Sequence, residues 1–111
     1  MASASGPKRQ LYIKTGVVKR IAKEKKMYEK EVMDQGAKVE KMKEDGKDEH
    51  DVNKQIEVLE ESKIMIPDCK RRLKTAYADL TNLVEETKEE FGETEEHKNA
   101  REMLKTTVLE D

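Results

Sequence analysis

Residues 59–83 read LEESKIMIPDCKRRLKTAYADLTNL, and within them Leu59, Ile66, Leu73 and Leu80 recur every seven residues. Cys69, Ala76 and Leu83 fill the intervening d positions of the same heptad frame. A sustained apolar a/d repeat in so charged a chain marks helices packed along a narrow seam. The repeat runs through Pro67, which removes a helical hydrogen bond and clashes with the preceding turn, at about 3 kcal/mol in a helix interior. Because the heptad keeps its phase from Leu59 to Leu73, the expected outcome is a continuous helix kinked at Pro67, with two shorter helices as the alternative.

Upstream of this stretch, from about residue 8 to 43, Val18, Ile21, Tyr28, Val32, Val39 and Met42 occupy a and d of one frame. Lys25 and Gln35 are polar exceptions in it, of the kind that weakens packing but fixes register. Gly36 costs a helix roughly 1 kcal/mol against alanine and points to close approach of a neighbour. Asp45–Gly46 signals a turn, after which Asp48 or Asp51 caps a second helix over about 52–87. That helix carries apolar residues on both flanks of its seam, Ile56, Tyr77 and Val84 at e and Val58 and Met65 at g. A helix apolar on both flanks touches two neighbours, which favours a three-helix bundle over a hairpin. Glu85–Glu96 holds seven acidic residues around Gly92 and reads as the second turn region. A short third helix then spans about 94–109, with Ala100, Met103, Leu104, Thr107 and Val108 inward. The expected fold is all-α: an elongated antiparallel three-helix bundle with coiled-coil-like packing, a single domain over 8–111 behind a disordered tail at 1–7.

Composition narrows the function. Charged residues make up 43% of the 111 and hydrophobic ones 34%, with 4% aromatics and no tryptophan, which argues against a deep ligand pocket. Residues 1–45 hold 12 basic and 7 acidic side chains, and residues 46–111 hold 11 basic and 18 acidic. The asymmetry fits oppositely charged helices packing together, or an electrostatic footprint for a partner. Cys69 is unpaired in sequence and falls on the seam, so it reads as a small buried hydrophobe. The N-terminal residues lack the apolar stretch of a signal peptide and no apolar run is long enough to span a membrane, so a soluble intracellular protein is expected.

Catalysis finds little support. His50 and His97 stand alone in charged surroundings and read as solvated, with no second ligand at zinc spacing. Neither a glycine-rich phosphate loop nor a nucleophile elbow is present, so no enzyme activity and no cofactor are expected. Lys19, Lys23, Lys26 and Lys30 instead fall at b and f positions, opposite the first helix's seam, and Lys70, Arg71, Arg72 and Lys74 follow the proline. Interleaved Glu24, Glu29, Glu31 and Asp68 dilute this charge and no aromatic stacking platform accompanies it, so an acidic protein surface suits it better than nucleic acid. Ile64 lands at f, where an exposed apolar side chain beside Pro67 and Arg71 has the composition of an interface anchor.

Two stretches then stand out together. Residues 13–20 read IKTGVVKR and continue through Lys23 and Glu24 to Tyr28-Glu29-Lys30-Glu31; residues 61–69 read ESKIMIPDC and are followed by Arg71-Arg72-Leu73. At this spacing the pair resembles the tubulin-binding cofactor A family, from about Leu11 to Leu109. The resemblance implies an antiparallel three-helix bundle with a proline-interrupted second helix. It also implies a cytoplasmic, cytoskeleton-associated, nucleotide-independent chaperone. Such a protein captures β-tubulin after its release from the cytosolic chaperonin and passes it towards the α/β heterodimer, working only indirectly with other tubulin-folding cofactors. Members are monomers or homodimers. The N-terminal tail, Gly36 and the 45–50 loop depart from the family pattern. The residues expected to meet the partner are Lys19, Lys23, Lys26, Lys30, Ile64, Pro67, Arg71 and Arg72, with no nucleic acid and no membrane involved. The rival reading is a structural coiled-coil subunit of a larger cytoskeletal or trafficking assembly.

Overall fold

Helix α1 spans Pro7–Glu44, α2 Glu49–Phe91 and α3 Glu95–Thr106. This is a computed structural model, and it describes residues 6–109. Residues 1–5 of the expected tail lie outside that range. Pro7 does not belong to a tail, because it is the first residue of α1, where a missing N–H is no loss. The Gly6 carbonyl accepts the first intrahelical bond, from the Gln10 amide at 2.9 Å. No strand occurs among the described residues, and the all-α reading of the heptads holds.

Local chemistry fixes each helix end. At the end of α1 the Lys47 amide donates to Met42 O at 3.0 Å and the Gly46 amide to Lys43 O at 3.1 Å. This paired pattern closes a helix around a left-handed residue, and Gly46 supplies it with φ 69°. Asp48 then caps α2, accepting from the His50 amide at 3.1 Å, with Glu49 and Asp51 in the first turn complementing the helix dipole. Helix α2 runs unbroken through Pro67, so the two-helix alternative is not realised. Both Pro67 and Lys63, whose carbonyl loses its amide partner, are exposed, which leaves that carbonyl on the solvated side.

The second turn is shorter than the acidic run suggests. Glu85–Glu90 belong to α2, and only residues 92–94 separate it from α3. A side chain at Gly92 would collide with the backbone carbonyl of Lys88. Thr94 caps α3, its hydroxyl accepting from the His97 amide at 3.2 Å. The third helix stops at Thr106, where the Thr107 hydroxyl and amide both donate to Met103 O. Val108 therefore lies beyond the helix and is 69% exposed, not inward.

The chain divides into two compact units, residues 23–69 and a second formed by residues up to 22 with 70 onward. The 23–69 unit is an antiparallel hairpin of α1 and α2: Gln35 meets Gln55 and Glu24 meets Cys69, so numbers rise on one helix as they fall on the other. Gln35 Nε2 donates to Gln55 Oε1 at 2.7 Å and to Gln55 O at 3.1 Å. The polar exception of the seam is thus a register-setting pair. Lys25, the other exception, is buried and paired with Glu29 at 3.0 Å. With no third helix in this unit, Val58 on the flank of α2 is 44% exposed and does not meet a second neighbour. Nothing lies within 4 Å of a Cβ placed at Gly36, so the expected close approach there is absent.

The other unit is the antiparallel three-helix bundle. Leu11, Val18 and Ile21 of α1, Leu73, Ala76, Leu80 and Val84 of α2, and Ala100 of α3 form its core. Leu11, Leu73 and Leu80 are at most 2% exposed, each burial contributing about 1.5–3 kcal/mol. Apolar flanks on α2 are used here: Val84 is buried and Tyr77 donates its hydroxyl to Leu104 O at 3.0 Å. His97 corrects the sequence reading, being buried rather than solvated. Its Nε2 donates to Val84 O at 2.9 Å, while Arg101 Nη1 donates to its Nδ1 and to Gly92 O at 3.1 Å. A carbonyl oxygen only accepts, so Nε2 carries a proton. His50, by contrast, is exposed.

Candidate functional site

The side chains open to a partner lie on the outer faces of the helices. Among the described residues no group of three metal-ligating side chains converges, and no helix is long and apolar enough to cross a membrane.

In the three-helix unit two grooves flank α1. The one between α1 and α2 has a volume of about 400 Å³. Val17, Ile21 and Ala76 form its apolar floor, and Lys14, Arg71, Arg72 and Asp79 its rim. The structure thus brings Arg71 and Arg72 together at one groove, where guanidinium forks suit carboxylates. Lys19 goes elsewhere. It lines the groove between α1 and α3, about 720 Å³, with Tyr12, Val17, Arg20 and Met103. Tyr12 and Ile13 sit at b and c of the first heptad frame and are 71% and 40% exposed. Sequence reasoning passed over both, although the frame that placed Val18 inward already turns them outward.

In the hairpin unit Lys23, Lys26 and Lys30 are exposed along α1. Their b and f positions follow from helical spacing, because the same frame buries Lys25 beside them. Lys30 donates to Asp34 at 2.7 Å; this hydrogen bond and the Asp34 charge hold its ammonium above the usual lysine range. On α2 of this unit Ile64 is 69% exposed and Pro67, one turn on, is exposed too. Ile64 faces outward, as its f position predicts. Met27 and Met33, exposed on α1 by 48% and 75%, are further adaptable apolar side chains that the seam-centred reading overlooked.

Comparison with known proteins gives these surfaces a context. A family model described as tubulin binding cofactor A matches residues 6–104. The chain is 57% identical over 102 residues to tubulin-specific chaperone A of Gallus gallus, covering 92% of this chain and 94% of the relative. It is 52% identical over the same length to the Homo sapiens protein of that name. Among solved structures, human tubulin chaperone cofactor A superposes with a TM-score of 0.77 at 49% identity, covering 90% of this chain and 96% of that one. Tubulin folding cofactor A of Arabidopsis thaliana gives 0.81 at 42% identity, covering 91% and 94%. On sequence and fold alike, this chain belongs to the tubulin binding cofactor A family.

Proposed function

We propose that this chain is a tubulin-folding chaperone that captures β-tubulin folding intermediates released from the cytosolic chaperonin and passes them towards heterodimer assembly without consuming nucleotide. The observation that carries the reading is the near-full-length match to proteins named tubulin-specific chaperone A. The outer faces fit a binding role in the cytoplasm. Lys19, Lys23, Lys26 and Lys30 present positive charge to an acidic client, speeding encounter and making capture salt-sensitive. Arg71 and Arg72 bind client carboxylates, while Ile64 and Pro67 supply apolar contact. No bond is made or broken; the chain shields a client surface that otherwise aggregates. The same match favours this reading over a purely structural subunit.

The direct test mixes the purified chain with separated β- and α-tubulin polypeptides freed from chaperonin, with and without nucleotide, and follows complexes on native gels. A β-tubulin complex that forms without nucleotide, and dissolves as salt rises, is the expected result. Capture of α-tubulin alone, or a strict nucleotide requirement, overturns the proposal.

A further inference from the structure

Gly16 lies in the interior of α1, on the groove shared with α3, and a Cβ placed there meets nothing within 4 Å. A glycine inside a helix weakens it relative to alanine, and no neighbour in the chain needs the space. What the missing side chain does provide is room for an outside backbone to come close. Gly16 also sits in the middle of the IKTGVVKR stretch, most of whose side chains line this groove.

The walls of the groove carry opposite charge. Lys19 and Arg20 stand on the α1 side, Glu96 and Glu102 on the α3 side, and none of the four forms an ion pair with a described residue. Tyr12 lies along the groove with 71% of its surface open. Among the described residues there is no strand edge to which an extended segment could add, so the recognition mode open to this surface is an apolar helix face laid into a groove. Charges on either side of the seam then set the direction of the incoming helix, as flanking pairs do in coiled coils.

We infer that the α1–α3 groove docks an amphipathic helix of the captured client, crossing α1 over Gly16, with an acidic flank against Lys19 and Arg20 and a basic flank against Glu96 and Glu102. This rests on the tubulin-capture reading and adds where and how one client segment sits. It also accounts for a glycine that costs the free chain stability.

The test compares full-length Gly16→Ala, Gly16→Leu and Gly36→Ala chains, reading thermal unfolding by circular dichroism and capture of purified β-tubulin. Gly16 and Gly36 are both open helical sites, so both alanine variants should raise Tm by a few degrees. Capture should fall about ten-fold or more for Gly16→Leu, fall less for Gly16→Ala and stay unchanged for Gly36→Ala. Opposite signs for stability and binding at one residue are not produced by a structural role. Glu102→Lys separates the groove from general attraction: removing an acidic side chain tightens a purely electrostatic encounter with an acidic client, whereas the docked helix requires several-fold weaker capture. If the unaltered chain captures β-tubulin and Gly16→Leu does so equally well, or Glu102→Lys binds more tightly, the groove is not the docking site while the capture reading stands. No capture by the unaltered chain overturns both.

Discussion

The Nε2 of His97 in α3 donates to the backbone carbonyl oxygen of Val84 in α2 at 2.9 Å, from a side chain only 1% exposed. Together with the Tyr77 hydroxyl on Leu104 O, this bond ties a twelve-residue helix, too short to be stable alone, to its neighbour. His97→Leu keeps much of the volume but removes the donor to Val84 and the acceptor for Arg101. Unfolding in urea should show a loss of about 1–3 kcal/mol, with α3 amides losing hydrogen-exchange protection before those of Leu73 and Leu80. His97→Gln, which can still donate, should recover part of it. Equal stability of the leucine variant removes His97 as a tether.

The Gln35–Gln55 pair makes a contrasting case, because a polar layer in an apolar seam gives up stability for register. Replacing both residues by leucine should raise the midpoint of thermal unfolding. It should also loosen specification of the partner helix, so sedimentation at rising concentration should show higher oligomers that the unaltered chain does not form. A double variant that is no more stable, or that keeps the original oligomeric state throughout, excludes the register role.

Much of this architecture was legible in the heptads. Leu73, Leu80, Val18 and Cys69 went inward as their a and d positions require, and Ile64 went outward from f. Two of the errors share one cause: a heptad frame says which side of a helix is apolar but not how many helices cover it. Val58 is exposed because the hairpin unit contains no third helix, and His97 is buried because α3, which carries it, packs against Val84 of α2. The length of the acidic run concealed the second turn, since glutamates are good helix formers and Glu85–Glu90 simply extend α2. The candidate contact residues, the half-buried Arg72 apart, were legible as exposed positions. Their division between separate grooves was not, because that depends on which helix lies across from each.

Leu73 is 2% exposed in the core of the three-helix unit, so Leu73→Ala opens a cavity at a cost of about 2–5 kcal/mol. Its signature is lower thermal stability with capture retained at temperatures where the variant stays folded. A specific loss of affinity at full helicity contradicts a purely structural place for Leu73.

Charge reversal along the outer face of α1 should do the opposite. Lys19, Lys23, Lys26 and Lys30 are exposed, and exposed charge contacts are individually weak but act together. Changing all four to glutamate should therefore weaken capture about ten-fold or more and flatten its salt dependence, with the helical dichroism intact. Lys30 adds a sign test. Its pKa is raised by Asp34, so its pairing is complete below the ordinary lysine value and fades only as pH climbs through the higher folded one. Asp34→Asn should bring the Lys30 titration, followed by NMR, back down. Unchanged capture by the quadruple variant removes these lysines from the interface.

Pro67 sits on the exposed side of α2, where it denies the Lys63 carbonyl its amide partner. Nothing in the packing of the hairpin unit requires that loss. Pro67→Ala restores the hydrogen bond and removes the ring's clash with the preceding turn, so it should stabilise the chain by about 1–3 kcal/mol in urea. If Pro67 and Ile64, one turn apart on the same face, belong to the surface that meets the client, the more stable variant should bind several-fold more weakly. Ile64→Ser should lower capture as well, with little change in stability, since that side chain is 69% exposed. Stability measured beside capture decides the matter: a Pro67→Ala chain that gains stability and binds as before shows that the proline shapes α2 for something other than the client.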